Sequence, residues 1–191
     1  RWRLARRDGV AYADVVTQTT ESDPRARLQR AERSRVAGRL EEAEAAFRGL
    51  VREDGMGSAI VARASISLAW CAQRRGDRAA ARDALELAVQ VARRAEEPAL
   101  LQRALVRLGE LVRDGGELER ARRLLEAAAN LGPEPAAETA RALDGLGQVC
   151  RALGDLEDAR DALVVAISRW RAAGSPNGLV TSLGNLGNLG R

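Results

Sequence analysis

The chain of 191 residues suits one ordinary domain or about four to five helical hairpins, and with 46% apolar but only 3% aromatic residues it has the alanine- and leucine-rich profile of packed helices rather than of a β-sandwich. All 31 basic residues are arginine, against 27 acids, and the formal charge of +4 is too modest to argue for nucleic acid. Histidine is absent, which removes the commonest general base and metal ligand, and the longest apolar run, Ala162–Ile167, falls far short of the ~20 residues a membrane span needs.

Residues 1–23 form an N-terminal segment that follows no repeat. Tyr12, Val15 and Val16 suit one helical face, while the valines and threonines from Val15 to Thr20 would also tolerate a strand. The segment is read as helical, a divergent hairpin ended by Ser22-Asp23-Pro24. Beyond it, residues 24–191 divide into paired amphipathic stretches at about 25–53, 59–95, 99–131 and 136–173, with a partial copy at 179–191. The connections are Glu53–Ser58, Pro98, Gly132-Pro133-Glu134-Pro135 and Gly174–Gly178. All are short, so no domain boundary is expected within the array.

Each pair bends at a glycine: Gly38, Gly76, Gly116 and Gly154, at spacings of 38, 40 and 38 residues. Five residues later stands Ala43, Ala81, Ala121 or Ala159, and nine later Phe47, Leu85, Leu125 or Leu163. Seven before the bend the residue is small: Ala31, Ala69, Gly109, Gly147. The small residue and the alanine let antiparallel helices approach, the bulky residue fills the groove between them, and Ala88, Ala128 and Ala166 admit the next hairpin. Glycine at the bend is suited to the left-handed conformation that ends a helix, and Asp77 or Asp155 after it to capping the next. Arg39 and Glu117 stand where the other two bends lack that aspartate.

This pattern resembles the tetratricopeptide repeat, with Leu105, Leu108, Gly109, Ala121, Leu125 and Pro133 as the fullest copy. The resemblance implies an all-α fold, a right-handed superhelix (an α-solenoid) of antiparallel helical hairpins. The period exceeds the usual ~34 residues, which requires longer second helices or longer connections. Ser34, Ala72, Val112 and Cys150 replace the family's first-helix aromatic.

No residues mark a catalytic centre. Cys71 and Cys150 lie two hairpins apart, read as buried thiols rather than a disulfide or metal pair, which fits a reducing cytoplasm. Acidic pairs such as Glu41-Glu42 and Glu157-Asp158 open second helices, where they favour the helix dipole. The closing Leu183–Leu189, with glycines at 184 and 187, does not have the spacing or the preceding strand of a dinucleotide loop. No enzyme activity, cofactor or metal is expected.

By the resemblance, first helices line a concave surface and second helices a convex one. The inner positions then carry two arginine rows: Arg25, Arg63, Arg103 and Arg141, continued by Thr181, and Arg35, Arg113 and Arg151, with Gln73 between them and Arg191 at the end. Arg74 and Arg107 add to the same side, and Glu32, Glu110 and Asp144 stand near as neutralising partners. Trp70, Gln148, Asn185 and Asn188 occupy comparable inner sites. Guanidinium forks suit carboxylates, and asparagine suits an extended peptide backbone. The expected partner is a protein or acidic peptide segment, including another domain of the same chain. The family's carboxylate-clamp set of lysine and asparagine is missing, so chaperone-tail binding is not expected.

The resemblance thus implies a protein–protein interaction module, the sensor or regulatory part of a larger cytoplasmic bacterial protein of which this chain is a piece. Single-stranded RNA binding is the first alternative, weakened because it needs stacking side chains at regular intervals and only Trp70 is well placed. Self-assembly through the apolar, glycine-rich stretch 179–191 is the second.

Overall fold

The computed structural model describes residues 23–132 and 134–190; the segment 1–22, Pro133 and Arg191, on which parts of the sequence reading fall, lie outside them. Among the described residues every regular element is helical. The order is α1 (Pro24–Val36), α2 (Leu40–Arg52), α3 (Ser58–Arg74), α4 (Arg78–Arg94), α5 (Pro98–Arg113), α6 (Leu118–Ala129), α7 (Ala136–Leu153), α8 (Leu156–Ala172) and α9 (Pro176–Gly187), closed by a 3-10 turn at Asn188–Gly190. Each helix packs on the next in sequence. Each odd-numbered helix also touches the following odd-numbered one, so α1, α3, α5, α7 and α9 form the inner layer of a right-handed solenoid.

The bends follow one backbone recipe. Gly38, Gly76, Gly116 and Gly154 have φ of 79°, 80°, 83° and 91°. The residue after each returns its N–H to the carbonyl of Ser34, Ala72, Val112 or Cys150 at 2.9–3.0 Å, which satisfies an orphan acceptor at the helix end. The same closure occurs at Gly174, and also where glycine is missing. At the α4–α5 junction Glu96 takes φ of 54° while Glu97 N–H donates to Ala92 O at 3.1 Å. A β-carbon in the left-handed region costs about 1–2 kcal/mol. Glu96→Gly, at an exposed site, is therefore expected to stabilise the chain by up to about 1 kcal/mol after the entropy of glycine is deducted. A rise in thermal midpoint would show it; a fall would mean that the Glu96 backbone is unstrained.

Start signals vary more than stops. Asp23 caps α1 by accepting from the N–H groups of Arg25 and Ala26 at 3.1 and 3.3 Å, and Asp77 caps α4 through Ala80 N–H at 2.9 Å. Asp155 departs from its expected role. It makes no cap bond, and its carboxylate instead accepts from Arg122 Nη1 at 2.7 Å. Hairpin one, which lacks the aspartate, closes its bend through Glu42, which accepts from Ser34 Oγ at 3.0 Å and Arg39 Nε at 2.7 Å. Those two donors hold the Glu42 carboxyl below its ordinary range.

The core is a row of pins. Ala43, Ala81, Ala121 and Ala159 are fully buried, as are Phe47, Leu85, Leu125 and Leu163 to within 1%. Glycine in the first helix allows the closest approach: a methyl on Gly109 would sit 2.7 Å from Leu125 Cγ, and one on Gly147 would sit 2.6 Å from Leu163 Cγ. Ser34, Ala72, Val112 and Cys150 are buried in place of aromatic side chains. Both cysteines are free, and burial pushes both thiols up. The long period is absorbed in two ways. Hairpins two and four use helices of 17 or 18 residues, while hairpins one and three keep shorter second helices and are followed by longer connections.

Ion pairs tie successive hairpins. Arg82 pairs with Glu117, Arg120 reaches Glu86 at 2.6 Å, and Arg122 reaches Asp155 and Asp158 at 2.7 and 2.9 Å. Glu44, on the second helix of hairpin one, is buried between Arg48 and Arg75. A buried amide adds direction: Gln102 donates at 3.0 Å to both Ala128 O and Thr139 Oγ1, joining α5, α6 and α7.

Candidate functional site

The inner helices enclose a groove of about 1250 Å³. It is built by helix repetition: α1, α3, α5 and α7 run in the same sense, so side chains one period apart stand side by side. Arg25, Arg35, Arg63, Trp70, Arg103, Arg107 and Arg141 all line it, as do Gln29, Glu32, Arg33, Ser67, Gln73 and Glu138.

The arginines fall into two groups. Arg35 donates through Nε to Glu32 at 2.7 Å, Arg103 through Nε to Glu138 at 3.0 Å, and Arg107 through Nη1 to Glu110 at 3.1 Å. Arg25, Arg33, Arg63 and Arg141 pair with no carboxylate among the described residues. Trp70 is half-buried on the groove wall, packed against the core of the first hairpins, with the guanidiniums of Arg35 and Arg74 at 4.9 and 5.8 Å from its ring centre.

The remaining sequence-derived residues stand apart from the groove. Arg113 donates to Asp114 and, through Nη1, to Gln148 Oε1 at 3.0 Å, which ties α5 to α7. Arg151 is exposed beyond the groove. Asn185 is half-buried, and Asn188 is exposed in the 3-10 turn rather than on an inner helical face. In the partial fifth copy, Gly187 meets nothing within 4 Å of a built β-carbon, and Val180 and Leu183 are 70% and 47% exposed.

Asp144 has a second role besides its place near Arg141. Its register places it beside the arginines, yet it is buried and accepts from Trp170 Nε1 at 2.6 Å and Ser182 Oγ at 2.5 Å. It thus joins α7, α8 and α9. Burial raises the Asp144 carboxyl above its ordinary value, against the opposing pull of those two donors and of Arg141.

Arg33, Ser67 and Glu138 line the groove without having been singled out by the sequence, whereas Glu32 stands there as a neutralising partner. Glu138 lies one turn before Arg141 on α7, so extending the register by a turn would have found it. Arg33 follows no repeated position, and no sequence signal marks it. No group of three or more metal-capable side chains occurs among the described residues, and none of the described helices is long and apolar enough to cross a membrane.

Residues 100–172 match the family model of the tetratricopeptide repeat, while no curated protein sequence matches the chain. Among solved structures, BtubC from P. vanneervenii superposes with a TM-score of 0.76 at 17% identity, over 92% of this chain and 78% of that one. The apo form of RapI gives 0.74 at 16%, over 87% of this chain and 62% of that one, so this chain spans less than two thirds of RapI. A kinesin light chain-like repeat protein from Podosopora anserina gives 0.66 at 17%, over 88% and 87%. At these identities the likeness is one of fold. Hinge geometry, pin residues and the family match converge: the chain is an α-solenoid of helical hairpins, and its residues 100–172 are tetratricopeptide repeat.

Proposed function

We propose that the array is a protein-interaction scaffold whose inner groove takes an extended acidic segment, from a separate protein or from another domain of a larger bacterial regulator. The observation that carries this reading is the composition of the groove wall, seven arginines against two glutamates. A stack of like charges at hairpin spacing repels itself, and an acidic segment relieves that repulsion while its carboxylates meet guanidinium forks. Association would be steered by the same field and would weaken with salt. The repeat architectures of RapI and the kinesin light chain-like protein support a scaffold role by analogy of fold.

The RNA alternative is disfavoured by Trp70, whose ring is already covered by two guanidiniums and offers a base little stacking surface. The test is a titration of acidic and neutral peptides at low and near-physiological salt. Arg63→Ala with Arg141→Ala, neither of which makes an ion pair among the described residues, is expected to weaken the acidic peptide at least tenfold at low salt. Unchanged affinity in the double variant would refute the groove as the binding surface.

A further inference from the structure

Among the groove arginines Arg35 alone is both stacked on an aromatic ring and hydrogen-bonded to an acid. Its guanidinium carbon lies 4.9 Å from the Trp70 ring centre, and its Nε donates to Glu32 Oε2 at 2.7 Å. Glu32 is itself anchored from the next hairpin, its other oxygen accepting from Ser67 Oγ. One edge of the fork is therefore spent on a fixed partner, and the plane is set by an aromatic face. The outer edge, Nη1 and Nη2, donates to no group among the described residues. Arg63, one turn before Ser67 on α3, is exposed and has neither support.

We infer that Arg35 is the groove's shape-specific carboxylate receptor, presented edge-outward by Trp70, Glu32 and Ser67, whereas Arg25, Arg33 and Arg63 act through charge alone. This rests on the acidic-segment reading above and adds a division of labour to it. A planar carboxylate bridges the two outer nitrogens of a guanidinium in parallel hydrogen bonds, a geometry that a lysine ammonium cannot reproduce. Preorganisation matters because holding a long arginine side chain in one rotamer otherwise consumes part of the binding free energy. Glu32 and Ser67 are positioning residues: neither needs to touch the ligand. Glu32 also makes the site selective, since its negative charge offsets that of Arg35 and leaves geometry as the main source of attraction there.

The test compares conservative replacements in the full chain, using a fluorescein-labelled Gly-Glu repeat peptide with the Gly-Gln repeat as neutral control. Arg35→Lys keeps the charge but removes the fork, and is expected to weaken the acidic peptide about tenfold; Arg63→Lys should change it less than about twofold. Ser67→Ala leaves every charge in place but frees Glu32. In that background Arg35→Lys is expected to cost less than half as much, a coupling that diffuse charge does not produce. Helical circular dichroism of each variant checks the fold. Equal losses from the two lysine replacements, or an Arg35→Lys cost unaltered by Ser67→Ala, overturn the receptor while leaving the acidic groove standing. Failure of the unaltered chain to prefer the Gly-Glu peptide overturns both.

Discussion

Leu125→Ala is expected to destabilise the chain by about 2–5 kcal/mol, read as a lower urea midpoint and accelerated amide exchange in α5, α6 and α7. Leu125 is fully buried and serves two hairpins at once. Its branch lies on Gly109 of its own first helix and on Gly145 of the next, where a built β-carbon would fall 2.7 and 3.1 Å from it. Truncation therefore opens a cavity at the seam between hairpins three and four rather than inside one of them. Gly109→Ala alone is expected to cost about 1–3 kcal/mol from the opposite cause, overpacking against Leu125. Together the two changes should cost less than their sum, because the new methyl enters the space the leucine vacates. Additive losses would mean that Gly109 is small for some other reason.

Trp170→Phe is expected to cost about 1–3 kcal/mol, because it keeps one aromatic ring but vacates part of the buried indole volume and removes the Nε1–H that serves buried Asp144. The pH dependence follows from the sign of the shift. The folded-state value of Asp144 lies above the ordinary 3.8, so the folded chain holds this proton more tightly than the unfolded chain does. The stabilisation from that proton is complete below about pH 3.8 and is lost as pH rises through the folded-state value. Trp170→Phe and Ser182→Ala each remove a donor that favours the carboxylate, so each should extend the decline to higher pH. Asp144→Asn should flatten it. Urea midpoints measured across the acidic to neutral range would show the effect; parallel profiles for Asp144→Asn and the unaltered chain would show that Asp144 does not titrate differently on folding. Gly178 belongs to the same node. A methyl there would fall 2.3 Å from a Trp170 ring atom, so Gly178→Ala should shift the tryptophan emission by moving the ring.

Spacing of Gly38, Gly76, Gly116 and Gly154, of the alanines five residues on and of the bulky side chains nine on was enough to establish hairpins, their bends and the class of fold. Those features rest on local sterics: a left-handed bend favours glycine, and two helices approach only where side chains are small, so the requirement recurs wherever the geometry recurs. The same register put Arg25, Arg35, Arg63, Trp70, Arg103, Arg107 and Arg141 on one surface, which the groove brings together.

Register alone left open which acid each arginine meets. Arginine and glutamate side chains are long, and an inner position has candidates on its own helix and on both neighbours. Folding resolved that choice differently from site to site: Glu32 went to Arg35 and Ser67, Glu138 to Arg103, and Asp155 left its capping role for Arg122. Asp144 turned inward because α8 and α9 supplied Trp170 and Ser182 within hydrogen-bond reach. A repeating chain therefore states its backbone period plainly, since every copy meets the same steric demand. Its polar pairings emerge only once hairpins are stacked, because they depend on distances between side chains about 35 residues apart that no single copy contains.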